Sequence, residues 1–145
     1  MGGGDLGPEK IAKRIDHAIL KPDMTFRELE RACREAVEYG LRGICVPPWM
    51  VEHASRLLKG SDVRLCAVVG FPLGFTFPEV KRREAELALA SGAHDIDMVM
   101  NISAFKSGLY ELVLDDIAGV VEAVREAGGI TKVCLLYTSP SPRDR

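Results

Sequence analysis

The sequence lacks the features that mark a membrane-bound, secreted or metal-binding protein. No apolar run among its 145 residues approaches the roughly 18 residues that a membrane span needs. The amino-terminal segment, residues 1–5, has neither the basic nor the apolar region of a secretory signal. Cysteines and histidines are widely spaced and form no C-x-x-C pair: Cys33, Cys45, Cys66, Cys134, His17, His53 and His94. We therefore expect a cytoplasmic chain with free thiols, no disulfide framework, and no metal or other cofactor.

An excess of positive charge is missing as well. The chain has 19 Lys and Arg against 21 Asp and Glu, a net charge of −2, which argues against a nucleic-acid surface built on bulk charge. The basic cluster Lys81-Arg82-Arg83 lies in a helical pattern and is predicted to be a solvated helix face. Hydrophobic residues at 47% and charged residues at 28% are the balance of a globular protein, here of one domain. We therefore expect a small-molecule partner, and neither nucleic acid nor a membrane.

Helical and strand patterns alternate along the chain. Thr25 with Glu28 forms a capping box that predicts a helix start, and Thr76 with Glu79 predicts a second one. Mostly apolar strands are predicted at residues 16–20, 44–46, 63–69 and 96–100, and a fifth begins at 131–133. Continuous apolar strands between helices are typical of a parallel sheet covered on both faces. The periodicity is compatible with both an open doubly wound sheet and a (βα)-barrel.

Residues 134–145 depart from this pattern. Pro140 and Pro142 cannot lie in a central strand, and no helix follows them. The run from Cys134 to Asp144 resembles the read-through translation of a transposon-type sequencing-library adaptor. We therefore expect residues 1–133 to form the folded unit and residues 134–145 to be an adaptor-derived tail.

Asp97 is the strongest candidate for chemistry. It lies in the apolar strand around Ile96 and Met98, where a lone buried carboxylate is costly and must be paired, hydrogen-bonded or protonated. One interpretation is a general acid/base at a barrel strand, and the other is a structural salt bridge or a strand-end cap. The residues alone leave both open.

Three other places are weaker candidates. Asp16 and Lys21 bracket an apolar run, and they either hold a substrate hydroxyl or form a surface ion pair. Cys45 either faces a pocket or is a small buried hydrophobe, which is the commoner role. The glycine-containing loop at residues 70–74 opens on a helix and permits phosphate binding, although a plain connection is the simpler interpretation.

Five short motifs form a specific pattern through their order and spacing along the chain. They are Ile15 to Asp23, Ile44-Cys45-Val46, Val68-Val69-Gly70-Phe71-Pro72-Leu73-Gly74, Gly92 to Val99 and Asn101 to Gly108. Between about Ile11 and Val133 this pattern closely resembles deoxyribose-phosphate aldolase. The resemblance implies a (βα)₈ TIM barrel, here truncated to about its first four βα units. It also implies a class I aldolase that reversibly splits 2-deoxyribose 5-phosphate into acetaldehyde and glyceraldehyde 3-phosphate, through a lysine Schiff base and without a metal.

The resemblance also implies residue roles. Asp97 matches the aspartate that relays protons together with a lysine and a water, while Asp16, Lys21 and Cys45 match positions that line the substrate site. The family's Schiff-base lysine lies on the sixth strand, its second catalytic lysine on the seventh, and its phosphate loops follow the last two strands. None of the lysines in this chain matches the nucleophile.

We therefore expect an N-terminal fragment that is inactive alone and whose full-length gene product is a lyase of deoxyribonucleotide catabolism. Its partners would be a phosphorylated sugar and aldehydes, and a homo-oligomer is compatible with the sequence. Two alternatives remain: a non-catalytic α/β phosphate-binding module that uses the loop at residues 70–74, and an aldolase for another phosphorylated sugar.

Overall fold

The computed structural model describes residues 7–135, in which strands and helices alternate. In chain order they are α1 (Pro8–Ala12), β1 (Asp16–Ala18), α2 (Phe26–Glu38), β2 (Gly43–Val46), a 3₁₀ turn (Pro48–Met50), α3 (Val51–Leu57), β3 (Arg64–Val69), α4 (Pro78–Ala90), β4 (Asp95–Val99), α5 (Ile102–Lys106), α6 (Tyr110–Glu126) and β5 (Thr131–Cys134). Most of the segment predicted to be an adaptor-derived tail, residues 136–145, lies outside the described residues. Cys134, the first residue of that segment, is the last residue of β5.

The sheet decides between the two architectures that the sequence left open. Its five strands are all parallel and follow the chain in the order β1-β2-β3-β4-β5. A doubly wound sheet reverses its strand order at a switch point, whereas a barrel adds each strand beside the previous one. The described residues therefore form half of a (βα)-barrel, as predicted.

Alternate strand residues face opposite sides of the sheet. Every second residue, including Ile44, Leu65 and Ile96, packs against the helices in the main hydrophobic core. The residues between them form the concave inner face, where Cys45, Cys66 and Val68 make a separate small cluster. Within the described residues the helices cover one face only, and the concave face is where polar side chains gather.

The two capping boxes have different outcomes. At α2 the prediction is confirmed, because Thr25 Oγ1 accepts from the Glu28 amide while the Glu28 carboxylate accepts from the Thr25 amide. At α4 it is wrong: the helix begins at Pro78, its N-cap is Phe77, and no side chain caps it. Proline at the first helical position has its φ already set and lacks the N–H that a cap would satisfy, so it fixes the helix start without Thr76.

The predicted solvated face at Lys81-Arg82-Arg83 is also wrong for its first residue. Arg82 and Arg83 pair with surface carboxylates of α4 and α6, but Lys81 is fully buried. Its Nζ donates to Asp116 Oδ2 of α6 at 2.5 Å and to the Val99 carbonyl at 2.8 Å. Lys81 lies on the same stripe of α4 as buried Ala85 and Ala88, and that i, i+4, i+7 spacing was the signal for its burial.

The open edges of the sheet lead to a prediction about association. Among the described residues, β1 and β5 each pair with one strand only, and unpaired parallel edges invite pairing with other chains. We expect the 145-residue chain to elute from size-exclusion chromatography with light scattering as a self-associated species. A monodisperse monomer whose β3 and β4 amides are protected from hydrogen exchange would contradict this.

Ala18→Pro is the matched variant for that measurement. The Ile19 amide donates to β2 and the Ile15 carbonyl accepts from β2. The backbone groups of successive strand residues point alternately to one side and the other. Residues 15 and 19 point toward β2, so the Ala18 amide points toward the open edge. Proline there removes an edge donor without breaking the β1–β2 ladder, so it is expected to reduce the associated fraction.

Candidate active site

A cavity lies at the carboxyl ends of β1, β2 and β3. It has a volume of about 430 Å³, and its lining includes Lys21, Trp49, Phe71 and Glu84. Carboxyl ends of barrel strands are where enzymes of this architecture place their active sites. The cavity therefore opens at the expected end of the half-barrel, and of the sequence candidates it contains Lys21.

Asp97 lies deeper, on the inner face of β4, and its two carboxylate oxygens have different neighbours. Oδ1 lies 3.0 Å from Lys132 Nζ on β5, an ion pair, and Oδ2 accepts a hydrogen bond from Cys45 Sγ at 3.5 Å. The side chain is 22% exposed. Asp97 is therefore held by a cation and is still partly reachable from the concave face, which is the placement that a general acid/base needs.

Lys132 joins the two acidic candidates. Its Nζ contacts Asp16 and Asp97 together. Burial works to lower the pKa of this ammonium group, but hydrogen bonding to Asp16 and the nearby negative charges outweigh it, and the pKa is raised. A raised pKa keeps Lys132 protonated, which suits a fixed cation and not an amine nucleophile. Sequence reasoning assigned no role to Lys132, although a lysine inside a strand is the same kind of signal as Asp97.

Asp16 does not pair with Lys21, as one sequence interpretation had it. Its carboxylate accepts two hydrogen bonds from Arg42 Nη1, at 2.8 and 2.7 Å, and one from Lys132. Burial works to raise the pKa of Asp16, but the bonds from Lys132 and Arg42 prevail and lower it. Lys21 is exposed beyond the other end of β1. Asp16 therefore holds Lys132 in place from the amino end of the sheet.

Gly43 allows this arrangement. It is the register partner of Asp16 on β2, and a Cβ at this position would lie 2.6 Å from Asp16 Oδ1. No side chain larger than hydrogen fits there without moving the carboxylate. The absence of a side chain on Gly43 is thus what lets Asp16 lie flat against β2.

Asp95 anchors the same end of the site and was missed by sequence reasoning. It is fully buried and accepts from Arg64 at 2.8 and 2.6 Å, from Arg42 at 3.0 Å and from the Ile130 amide at 2.9 Å. Burial works against its ionisation, but the Arg64 and Ile130 hydrogen bonds lower its pKa to about 2. Asp95 and Asp97 face the same side of β4, and their partners distinguish them: Asp95 is saturated with hydrogen bonds, whereas Asp97 is not.

Cys45 is buried on the inner face, directly across from Cys66 on β3. Of its two sequence interpretations, burial fits the small buried hydrophobe, and the thiol also donates a hydrogen bond to Asp97 Oδ2. Contact with Cys45 and burial raise the pKa of the Cys66 thiol. Cys66 was not singled out from the sequence, because cysteines on neighbouring strands meet in space while being far apart along the chain.

The loop at residues 70–74 gives little support to a phosphate cradle. The Gly70 amide already donates to Glu84 Oε2 at 2.8 Å, and a carboxylate there repels a phosphate. The helix that follows has a proline at its first position, so one of its free amides is missing. These contacts are those of a connection held in place by Glu84.

The fold and the site define an α/β protein with half of a parallel barrel, whose inner face carries an aspartate–lysine–aspartate arrangement. No helix among residues 7–135 is long and apolar enough to cross a membrane. Sequence relatives of the chain, and several of its structural neighbours, are deoxyribose-phosphate aldolases. No protein-family model matches the chain.

Three of these similar proteins show the extent of the likeness. The deoxyribose-phosphate aldolase of Aciduliprofundum boonei is 49% identical over 130 residues, which is 90% of this chain and 59% of the relative. The deoxyribose-phosphate aldolase of Methanothermobacter thermautotrophicus is 51% identical over 127 residues, which is 88% of this chain and 55% of the relative. The tetrameric deoxyribose phosphate aldolase structure from Aeropyrum pernix has a TM-score of 0.80 at 36% identity and covers 88% of this chain and 53% of that one. The chain thus spans a little over half the length of the curated relatives it matches.

Proposed function

We propose that this chain supplies the proton-transferring half of a deoxyribose-phosphate aldolase. The observation that carries the proposal is the placement of Asp97 between Lys132 Nζ and Cys45 Sγ on the concave face of the half-barrel. The named relatives add the substrate: by analogy with them, the intact protein would cleave 2-deoxyribose 5-phosphate to acetaldehyde and glyceraldehyde 3-phosphate. Such a reaction belongs to the class I aldolases, which are lyases.

The chemistry needs a base that can take up and return a proton. In an aldolase of this kind a lysine amine condenses with the acetaldehyde carbonyl, losing water to form an imine. A carboxylate then removes a proton from the adjacent methyl group, leaving an enamine that attacks the second aldehyde. Asp97 is suited to this step because Lys132 holds one oxygen while the side chain stays accessible.

The supporting residues would act around Asp97. Arg42 binds Asp16, and Asp16 holds Lys132 on one side while its ammonium group contacts Asp97. Lys21 borders the cavity at the carboxyl ends of the strands, where a hydroxyl or phosphate oxygen of the substrate would enter. The Cys45 thiol donates a hydrogen bond to Asp97 Oδ2 and would orient this oxygen. Asp16, Lys21 and Cys45 would together border the substrate around Asp97.

The partners and the location follow from the same proposal. Phosphorylated sugars and aldehydes would be the small-molecule partners, and a homo-oligomer would parallel the tetramer described for the A. pernix relative. All four cysteines, including Cys134 at the end of β5, are free thiols, which suits the reducing cytoplasm.

A chimera tests the function directly. Residues 1–133 of this chain are joined to the carboxyl-terminal part of the A. boonei relative that the chain does not cover. We expect the chimera to release acetaldehyde from 2-deoxyribose 5-phosphate and to be trapped as a single adduct by acetaldehyde with borohydride. A folded chimera that cleaves no deoxyribose phosphate would contradict the proposal.

The 145-residue chain is the matched control in the trapping experiment. Among the described residues, Lys132 is the lysine that contacts Asp16 and Asp97, and these carboxylates keep it protonated. We therefore expect intact-mass measurement to show no stoichiometric adduct on the chain alone. One adduct per chain on Lys132 or Lys21 would mean that this half of the barrel carries its own amine nucleophile. The chain would then supply more than the proton-transferring half.

A further inference from the structure

Two thiols and a carboxylate meet on the inner face of the three central strands. The Sγ atoms of Cys45 on β2 and Cys66 on β3 and a carboxylate oxygen of Asp97 on β4 all lie within 4.8 Å of one another. The two cysteines are only 3% and 1% exposed. We propose that this cluster binds a soft divalent cation such as Zn²⁺ or Cd²⁺.

The ligand types and their spacing suit such an ion. Thiolates are soft donors that select zinc-like metals over Mg²⁺ or Ca²⁺. In a tetrahedral site with metal–sulfur bonds of about 2.3 Å and metal–oxygen bonds of about 2.0 Å, neighbouring ligand atoms lie roughly 3.5 Å apart. Cys45 Sγ and Asp97 Oδ2 are already 3.5 Å apart. That pair already has the spacing of two ligands, and Cys66 Sγ lies within 4.8 Å of both atoms.

Asp97 can bind the ion and keep its lysine. Oδ2 faces the thiols, while Oδ1 faces Lys132 Nζ at 3.0 Å. A cation bound through Oδ2 leaves the Oδ1 contact in place as the outer partner that orients the ligand. Two thiolates and one carboxylate carry three negative charges against two on the ion, and the remaining negative charge faces the Lys132 ammonium group.

Binding is an exchange of protons for metal. Two metal–sulfur bonds form as the Cys45 and Cys66 thiols each lose a proton to solvent, and no atom changes its oxidation state. Three protein ligands leave the fourth position to water on the accessible side of Asp97. The cluster uses β2, β3 and β4, so the open edges at β1 and β5 take no part in it. Nor does the site depend on whether the intact protein cleaves a sugar.

Titration of the reduced 145-residue chain with Cd²⁺ tests the proposal. The readouts are the sulfur-to-cadmium charge-transfer absorption and the number of protons released. We expect one ion and two protons per chain. Cys45→Ser and Cys66→Ser should each weaken binding by at least about tenfold. Cys33→Ser, a buried thiol of α2 in the helix–sheet core, is the matched control and should leave the affinity unchanged.

A second variant covers the case in which a serine replacement unfolds the chain. Asp97→Asn keeps both thiols, so the absorption should persist while the affinity falls by at least about tenfold. Unchanged Cd²⁺ affinity in Asp97→Asn or Cys66→Ser would overturn the proposal. So would equal affinity in the urea-unfolded chain, because thiols without the fold would then suffice.

Discussion

Replacing Asp97 with asparagine is expected to lower the turnover of deoxyribose phosphate cleavage by the chimera about 10²-fold or more, the usual effect of losing acid/base help. Asparagine has nearly the same shape as aspartate but cannot accept a proton. Lys132 keeps its other partner, Asp16, so the site should stay assembled. The measurement is acetaldehyde release under saturating substrate, and the fall should appear mainly in kcat and little in KM.

Two control variants separate chemistry from folding. Asp62→Asn removes an exposed carboxylate in the loop before β3 and should leave turnover unchanged. Asp97→Glu keeps the carboxylate on a longer stem and should recover part of the loss. Turnover of Asp97→Asn within a few-fold of the unmodified chimera would show that Asp97 is a structural partner of Lys132 and no base.

Truncating Lys81 to alanine is expected to lower the free energy of unfolding of the chimera by about 3–5 kcal/mol, as when one partner of a buried ion pair is removed. Asp116 would be left buried with its charge unpaired, and the Val99 carbonyl would lose a donor. Against a typical total stability of about 5–15 kcal/mol, this is enough to unfold a marginal protein. Urea unfolding followed by circular dichroism measures it.

The double variant Lys81→Met with Asp116→Leu tests the cause. It removes both charges and fills the space with apolar side chains, so it should recover most of the lost stability. Lys59→Ala, at an exposed position after α3, should change the stability by less than about 0.5 kcal/mol. If Lys81→Ala were as mild as Lys59→Ala, the pair would contribute nothing to the packing of α4 against α6.

Local rules of sequence predicted much of this structure. The capping box at Thr25 sets the start of α2, and the apolar runs predict all five strands to within about two residues. The chemical interest of Asp97 also follows from one local fact, a carboxylate inside an apolar strand. The resemblance to deoxyribose-phosphate aldolase comes from motif order and agrees with the relatives.

Other features needed the whole fold, because they depend on residues that are distant along the chain. Lys81 is charged and looked solvated, but α6 brings Asp116 to it from 35 positions away. Thr76 fits a capping box, yet Pro78 begins the helix after it.

The amino acid sequence thus decided where strands and helices form, since hydrophobic period, proline and capping act over a few residues. Only the tertiary structure decided which polar groups meet. Parallel strands laid side by side place Asp16, Cys45, Cys66, Asp97 and Lys132 on one concave face. There are two physical reasons. Strand register places Cys45 beside Cys66, and Asp97 beside Lys132, at about 4.8 Å. The curvature of the half-barrel brings Asp16 of β1 across the concave face to Lys132 of β5.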